Sequence, residues 1–275
     1  MSDAEFRLLS EFIHAQCGIK MPPAKKTMLE ARLLKRLRSL GIATFREYCD
    51  YLFKSPYGES ELVCMIDSVA TNKTDFFREP DHFAFLTETT LPRYLESEGP
   101  RNGVPYTVWS AGCSTGEEPY TLAMVLSEFG VHNPRFRFEV LATDISTLAL
   151  EKARLGIYEE ERTAPVSSIL KKKYLMQSKD RNKRQVRIVP ELRSRIQFQR
   201  VNLMDDQLPL MNAVDAIFCR NVIIYFERID QEELLGRMCC LLKPGGYLFL
   251  GHSETALGFD LPLAHVMKTV YRKEI

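Results

Sequence analysis

The chain has 275 residues, 45% hydrophobic and 27% charged, enough apolar material for one large or two modest domains with buried cores. Its formal net charge is +1, so no global field draws it to nucleic acid, and electrostatic function has to reside in local patches. No stretch approaches the roughly 18 apolar residues of a membrane span, and the opening MSDAEFRLLSEF lacks a signal-peptide core. The seven cysteines are odd in number and show no CxxC or Cys/His ligand spacing. Free thiols in a reducing cytoplasm, with no metal, are the expectation.

Phe6, Leu9, Phe12 and Ile13 recur at helical spacing behind Asp3, a candidate N-cap. Pro22 and Pro23 separate this helix from a second over about 24–40, where Met28, Leu29, Leu33, Leu37 and Leu40 form one stripe and Gly41 ends it. Thr44 can cap a third helix carrying Phe45, Tyr48 and Leu52. Residues 59–70 supply a fourth, with Leu62, Met65, Ile66 and Val69. Helical periodicity stops at Thr71-Asn72-Lys73-Thr74, which marks off a helical domain, 1–70, from a linker, 71–104.

The remainder, 105–275, alternates short apolar runs with helical segments. Predicted strands are Tyr106–Ser110, Phe138–Ala142, Ile196–Val201, Ala213–Cys219, Tyr247–Leu250 and Val266–Tyr271; predicted helices include 117–129, 146–155 and 229–242. This pattern indicates an α/β domain whose parallel sheet is covered on both faces. The last strand follows its predecessor too closely for a helix, so it enters antiparallel as the end of a hairpin. Residues 165–195 break the alternation with Lys171, Lys172, Lys173, Lys179, Arg181, Lys183, Arg184 and Arg187, and predict a small insertion with a strand at Arg187–Val189.

The sharpest motif is Val108-Trp109-Ser110-Ala111-Gly112-Cys113-Ser114-Thr115-Gly116-Glu117-Glu118-Pro119-Tyr120, a strand that ends in small residues and opens a helix. Gly112 and Gly116 allow close backbone approach to a ligand, although a glycine turn that serves packing alone has the same spacing. The loop is neither GxGxxG nor a Walker loop. Glu117 and Glu118 stand where a phosphate would meet a bare helix N-terminus, so a cationic ligand is favoured over a dinucleotide. S-Adenosylmethionine, with its sulfonium and ammonium, suits such a loop. Asp144, at the end of the next strand, can accept both ribose hydroxyls of an adenosine or simply cap the following helix. Asn202-Leu203 follow the third strand and suit an adenine contact, while Arg220-Asn221 follow the fourth, where the reacting centre belongs. Alone, each asparagine is more often a turn residue, but their shared location at strand ends favours a ligand contact.

Several long segments resemble the CheR-type chemotaxis methyltransferases. They are Asn72-Lys73-Thr74-Asp75-Phe76-Phe77-Arg78-Glu79, the glycine loop 111–120, Ala142-Thr143-Asp144-Ile145, Cys219-Arg220-Asn221-Val222-Ile223-Ile224-Tyr225-Phe226, Leu242-Lys243-Pro244-Gly245-Gly246 and Gly251-His252-Ser253-Glu254. The resemblance spans nearly the whole chain. It implies a Rossmann-like class I methyltransferase sheet, an all-α N-terminal domain that docks the substrate, and a small β-subdomain at 165–195. It further implies methyl transfer from S-adenosylmethionine to receptor glutamates. Asn72, Thr74 and Arg78 would reach the cofactor from the linker. Ala111, Gly112, Glu117, Asp144, Asn202, Leu203, Arg220 and Asn221 would complete the pocket, with Arg78 and Tyr225 near the reacting methyl. Members that dock a receptor-tail peptide carry glycines in the subdomain loop; Gln177–Gln185 has none here, which puts tail tethering in doubt.

The second helix is basic through Lys25, Lys26, Arg32, Lys35, Arg36 and Arg38. A solvated face accounts for most such runs, but glutamate-rich receptor helices would meet it with complementary charge. Nucleic acid lacks support, since no aromatic interleaving accompanies the charge. Two other functions compete: a cofactor-sensing module without chemistry, and a methyltransferase for RNA or small molecules. The second would more typically show Asn/Asp-Pro-Pro-Tyr/Phe where this chain has Arg220-Asn221-Val222-Ile223.

Overall fold

The computed structural model describes residues 1–96, 103–180, 182–206, 208 and 213–274. Arg181 and linker residues 97–102 lie outside the described residues.

Four helices come first along the chain: α1 (Asp3–Cys17), α2 (Lys26–Leu40), α3 (Phe45–Lys54) and α4 (Gly58–Val69). Their stripes meet in a core that includes Leu9, Ile13, Leu29, Leu33, Tyr48 and Met65. The N-cap of α1 is Ser2 rather than Asp3: Ser2 Oγ accepts the Glu5 N–H at 3.2 Å and the Glu5 carboxylate accepts the Ser2 N–H at 2.7 Å. That reciprocal pair satisfies two end donors at once and leaves Asp3 to pair with Lys26 at 2.5 Å. A 3₁₀ turn at Pro23–Lys25 leads into α2, which ends on Gly41 in the left-handed region. Thr44 caps α3 as expected.

The basic face of α2 is smaller than its sequence suggests. Arg36 forms a fork on Glu61, at 3.0 Å from Nε and 2.5 Å from Nη2, and the same carboxylate accepts the Tyr48 hydroxyl at 2.8 Å. Arg32 donates to the carbonyls of Val69 and Ala70. Both arginines therefore bind α2 to α4 and the start of the linker, whereas Lys35 and Arg38 remain exposed.

Residues 71–104 contain more helix than a linker requires: α5 (Asp81–Phe85), a π turn over Leu86–Thr90 and α6 (Leu91–Glu96) run on as one segment. Phe83, Leu86, Leu91 and Tyr94 are buried, three to five residues apart, so one face packs on the sheet. Next come β1 (Tyr106–Ala111), α7 (Glu117–His132), β2 (Phe138–Asp144) and α8 (Thr147–Leu155). The insertion begins earlier than expected, at β3 (Ile157–Glu159), and includes α9 (Ser168–Tyr174), β4 (Leu175–Gln177) and β5 (Gln185–Ile188). It forms an antiparallel sheet of order β3-β5-β4. After α10 (Pro190–Arg193), the main sheet resumes with β6 (Ile196–Arg200), β7 (Val214–Cys219), α11 (Arg228–Leu241) and β8 (Leu242–Leu250). The expected final strand is split. β9 (Leu263–Met267) turns at Lys268-Thr269 into β10 (Val270–Lys273), which pairs antiparallel with both β8 and β9.

The strand order is β6-β2-β1-β7-β8-β10-β9, and the first five strands are parallel. Neighbours along β1 enter opposite cores, Val108 with Phe218 and Phe249 on one face, Trp109 with Ile217 and Leu248 on the other. The chain leaves β1 toward β2 and later returns to β7 on the other side. Between those two strands lies the switch point where ligands bind in such sheets. Among the described residues, no helix is long and apolar enough to cross a membrane.

Removing Arg36 leaves the Glu61 carboxylate buried without its cation. Arg36→Ala is expected to cost about 3 kcal/mol of stability, read as a lower denaturation midpoint in urea.

Candidate functional site

A cavity of about 240 Å³ opens at the carboxyl ends of the strands. Gly112 and Ser114 of the loop after β1 border it. Gly112, Ser114 and Gly116 all adopt positive φ, at 75°, 51° and 97°. The N–H groups of Gly112 and Cys113 both donate to the Thr143 carbonyl at 2.8 Å, which ties the β1 loop to the end of β2. The glycines are required by neighbours inside the protein. A Cβ at Gly112 would lie 2.5 Å from Val222 Cγ2, and one at Gly116 would lie 2.9 Å from Ala153 Cβ and the Tyr158 hydroxyl. The close approach they permit is to the 220–225 loop at Gly112 and to α8 and β3 at Gly116.

Of the side chains expected at the site, Asn72, Thr74, Arg78, Asp144, Asn202, Leu203, Arg220, Asn221 and Tyr225 border the cavity, as does Gly112. Asp144 accepts the Ser114 N–H on Oδ2 and the Ser146 N–H on Oδ1, both at 2.8 Å. It thus supports the loop, while Ser146 caps α8 through its own hydroxyl at 3.2 Å. Asn202 also holds the structure together, since its Nδ2 donates to the Gln16 carbonyl at 2.8 Å and joins α1 to the end of β6. Arg220 is almost fully buried, with Nε 3.3 Å from Glu79 and 3.6 Å from Glu118, and Nη2 donates to the Arg78 carbonyl.

Ala111 and Glu117 do not border the cavity. Ala111 is packed within β1. Glu117 sits behind the loop, where its carboxylate accepts from Thr115 at 2.6 Å and from Arg162 at 2.5 Å. Its neighbour Glu118 takes the wall position and accepts the Ser110 hydroxyl at 2.7 Å. Ser114 Oγ is buried without a protein partner and also borders the cavity. Glu118 is one of the two acids that the sequence marks at this helix start, whereas Ser114 does not stand out within the glycine motif. The N-terminal domain contributes a further wall of Cys17, Ile19, Met21, Lys25 and Met28. Lys25 belongs to the turn ahead of α2, with its ammonium 5.8 Å from the centre of the Tyr225 ring.

Burial raises the carboxyls of Glu117, Glu118 and Asp144 above the ordinary carboxylate range. Opposing hydrogen bonds and cations only partly offset that effect. Glu79 ends below its ordinary value: burial pushes it up, and the His252 N–H and Arg220 more than reverse this. His82, beside Glu79, is driven down to about 4, chiefly by burial.

An adenosine-bearing cation fits these surroundings. Val201, Leu203, Ile145 and Phe226 supply apolar wall, the Ser114 hydroxyl and an Arg220 Nη1 lack protein partners, and acids lie along the loop. A sheet of this order, five parallel strands closed by an antiparallel hairpin, with such a cavity at its switch point is that of the class I S-adenosylmethionine-dependent methyltransferases. Residues 72–271 match the CheR methyltransferase SAM-binding domain, and residues 4–70 match the CheR all-alpha domain. The chain is 41% identical over 270 residues to a chemotaxis protein methyltransferase of Borreliella burgdorferi, covering 98% of this chain and 94% of that one. It is likewise 41% identical over 271 residues to the chemotaxis protein methyltransferase of Escherichia coli, covering 98% and 91%. The chain belongs to the CheR methyltransferase family.

A cationic cofactor favours the charged form of nearby acids, so its binding releases protons and weakens as pH falls. Because burial already raises these carboxyls, the loss begins at milder acidity than for exposed ones. The dissociation constant for S-adenosylmethionine is expected to rise between pH 7 and 5, and to rise less for S-adenosylhomocysteine, which lacks the sulfonium. Calorimetric titration at each pH reads both.

Proposed function

We propose that this enzyme methylates glutamate side chains on the cytoplasmic helices of bacterial chemoreceptors, forming methyl esters for chemotactic adaptation, and that it works in the cytoplasm. The observation that carries this proposal is the ammonium of Lys25, 5.8 Å from the centre of the Tyr225 ring at the cavity. Lys25, Arg78 and Arg220 border the same cavity. Of the acids that border the cavity, Glu118 is engaged by Ser110 and Arg220, and Asp144 accepts two backbone N–H groups. That environment suits an anionic nucleophile that needs no deprotonation.

A glutamate side chain has an unperturbed pKa of about 4.3 and is ionised near neutrality. Bound S-adenosylmethionine supplies a methyl group on a positively charged sulfur, already a good leaving group. The protein's part is placement, and orientation of this kind can supply on the order of 7–11 kcal/mol. Arg78, whose Nη1 donates to the Lys73 carbonyl at 3.3 Å, orients a carboxylate of cofactor or substrate through its planar fork. Tyr225 positions the incoming side chain or lines the methyl channel. Asp144 accepts ribose hydroxyls on the lone pairs its two N–H bonds leave free. Asn72, Thr74 and the backbone of Ala111 and Gly112 hold the cofactor from the linker and loop. Asn202 and Leu203 flank the adenine, and Arg220 and Asn221 hold the amino acid portion. Glu117 adds negative charge from behind the loop.

Receptor docking on α2 falls to Lys35 and Arg38, with Lys25 at the cavity edge, because Arg32 and Arg36 are committed inside the protein. A receptor-tail tether is not part of the proposal.

Incubation with methyl-labelled cofactor and receptor cytoplasmic domains is expected to give base-labile label. Base-stable label, or binding without transfer, would replace this function with another. In the same assay Arg78→Ala should lower kcat/KM by about 10²-fold or more, while Tyr225→Phe isolates the hydroxyl. Reversing both exposed charges, Lys35→Glu with Arg38→Glu, should raise the receptor KM several-fold and leave cofactor affinity unchanged by calorimetry.

A further inference from the structure

The Gly251-His252-Ser253-Glu254 segment lies after β8, and its acid has no role in the chemistry above. The Glu254 carboxylate is buried and accepts four backbone N–H groups from two segments. Oε2 takes Asn221 at 2.7 Å and Gly251 at 2.6 Å; Oε1 takes Val222 at 2.8 Å and Ile224 at 3.3 Å. The 220–225 loop thus hangs on one side chain contributed by another part of the chain. Asn221 is held at φ 58°, a conformation unusual for a residue with a Cβ. Glycines grip the loop from either side. A Cβ at Gly112 would meet Val222, and a Cβ at Gly251 would lie 2.5 Å from Asn221 Nδ2.

We infer that Glu254 is the positioning residue that sets the 220–225 loop for cofactor and substrate, acting through Asn221 and its neighbours without touching either ligand. The geometry is that of an anion in a nest of amides. A carboxylate accepts all four donors, whereas a carboxamide presents its own N–H groups to at least one pair of them. Charge-assisted hydrogen bonds of this kind are roughly twice as strong as neutral ones, and three on one loop leave it little freedom. This inference rests on the proposed placement of Asn221 and Tyr225 beside the ligands.

The test is a double-mutant cycle on S-adenosylhomocysteine affinity, measured calorimetrically on the full chain. Glu254→Gln is expected to weaken binding at least tenfold while the protein remains folded by circular dichroism. Combined with Asn221→Ala, its effect should be strongly non-additive, because both changes act through the same loop. Combined with Asp144→Asn, at the end of β2, the effects should multiply. Wild-type affinity in Glu254→Gln, or simple multiplication with Asn221→Ala, would overturn the inference. Failure of the wild-type protein to bind, or wild-type affinity in Asn221→Ala alone, would instead overturn the site placement beneath it. If Glu254→Gln does not fold, Glu254→Asp, which keeps the charge one methylene short, enters the same cycle with the same outcomes.

Discussion

Arg220 lies almost wholly out of water between two carboxylates, Glu79 Oε2 at 3.3 Å and Glu118 Oε2 at 3.6 Å. Breaking a buried pair by removing one partner typically costs about 3–5 kcal/mol, because the remaining charge has no solvent to turn to. Arg220 follows β7, Glu118 opens α7, and Glu79 belongs to the segment between the two domains. One cation therefore clamps three parts of the chain at the sheet's carboxyl edge. The bond from its Nη2 to the Arg78 carbonyl adds a direct hold on that intervening segment. Phe77 and Glu79 on either side of Arg78 have φ of 52° and 55°. Left-handed conformations at such residues cost of order 1–3 kcal/mol each and persist only where surroundings enforce them. Arg220 and the His252 N–H provide that enforcement, so the backbone of Arg78 is held in place before any ligand arrives.

The helical domain belongs to the same construction. Lys20 donates its backbone N–H to the Tyr225 carbonyl at 2.9 Å, and Asn202 donates to Gln16. Arg32 binds the end of α4 where the chain turns toward the cavity. The turn after α1 and the 220–225 loop are consequently fixed to one another, with Lys25 above Tyr225. A domain whose sequence suggests substrate docking alone also walls the cavity with apolar side chains.

What was legible in the sequence follows from which forces act locally. Continuous apolar runs flanked by glycine and acid revealed the strands and the β1 loop, because a buried parallel strand has no other composition available. Phe83, Leu86, Leu91 and Tyr94 carried a helical signal, obscured by the π turn, which shifts the period partway along. Ser2 outcompeted Asp3 because the decisive partner, Glu5, lies three residues beyond it. Other features were invisible locally. That Arg36 would be consumed by Glu61, 25 residues on, depends on how α2 packs against α4. That Gly112 exists to admit Val222, and not only a ligand, depends on a loop that arrives more than a hundred residues later. At the cavity, residue types could be recognised, but the division of labour among them could not. Glu117 and Glu118 are adjacent and chemically alike, and only the fold puts one on the wall and the other behind it.

That division has a chemical logic. The proposed transfer to an ionised carboxylate asks for no proton acceptor, so the residues near Tyr225 need not be poised to titrate. They need only be cationic enough to receive an anion and rigid enough to aim it. Rigidity here comes from charge: Arg220 between its two acids, and Glu254 among its four amides. Each is an ion whose partners are supplied by different loops, and in a medium that excludes water such ions tolerate little displacement. Side chains that would face the ligands, Arg78 and Tyr225, are less buried than the ions that hold their backbones. A surface prepared in this way can hold a cationic cofactor and an anionic side chain a few ångströms apart, while the cost of ordering is met when the protein folds and not at each turnover.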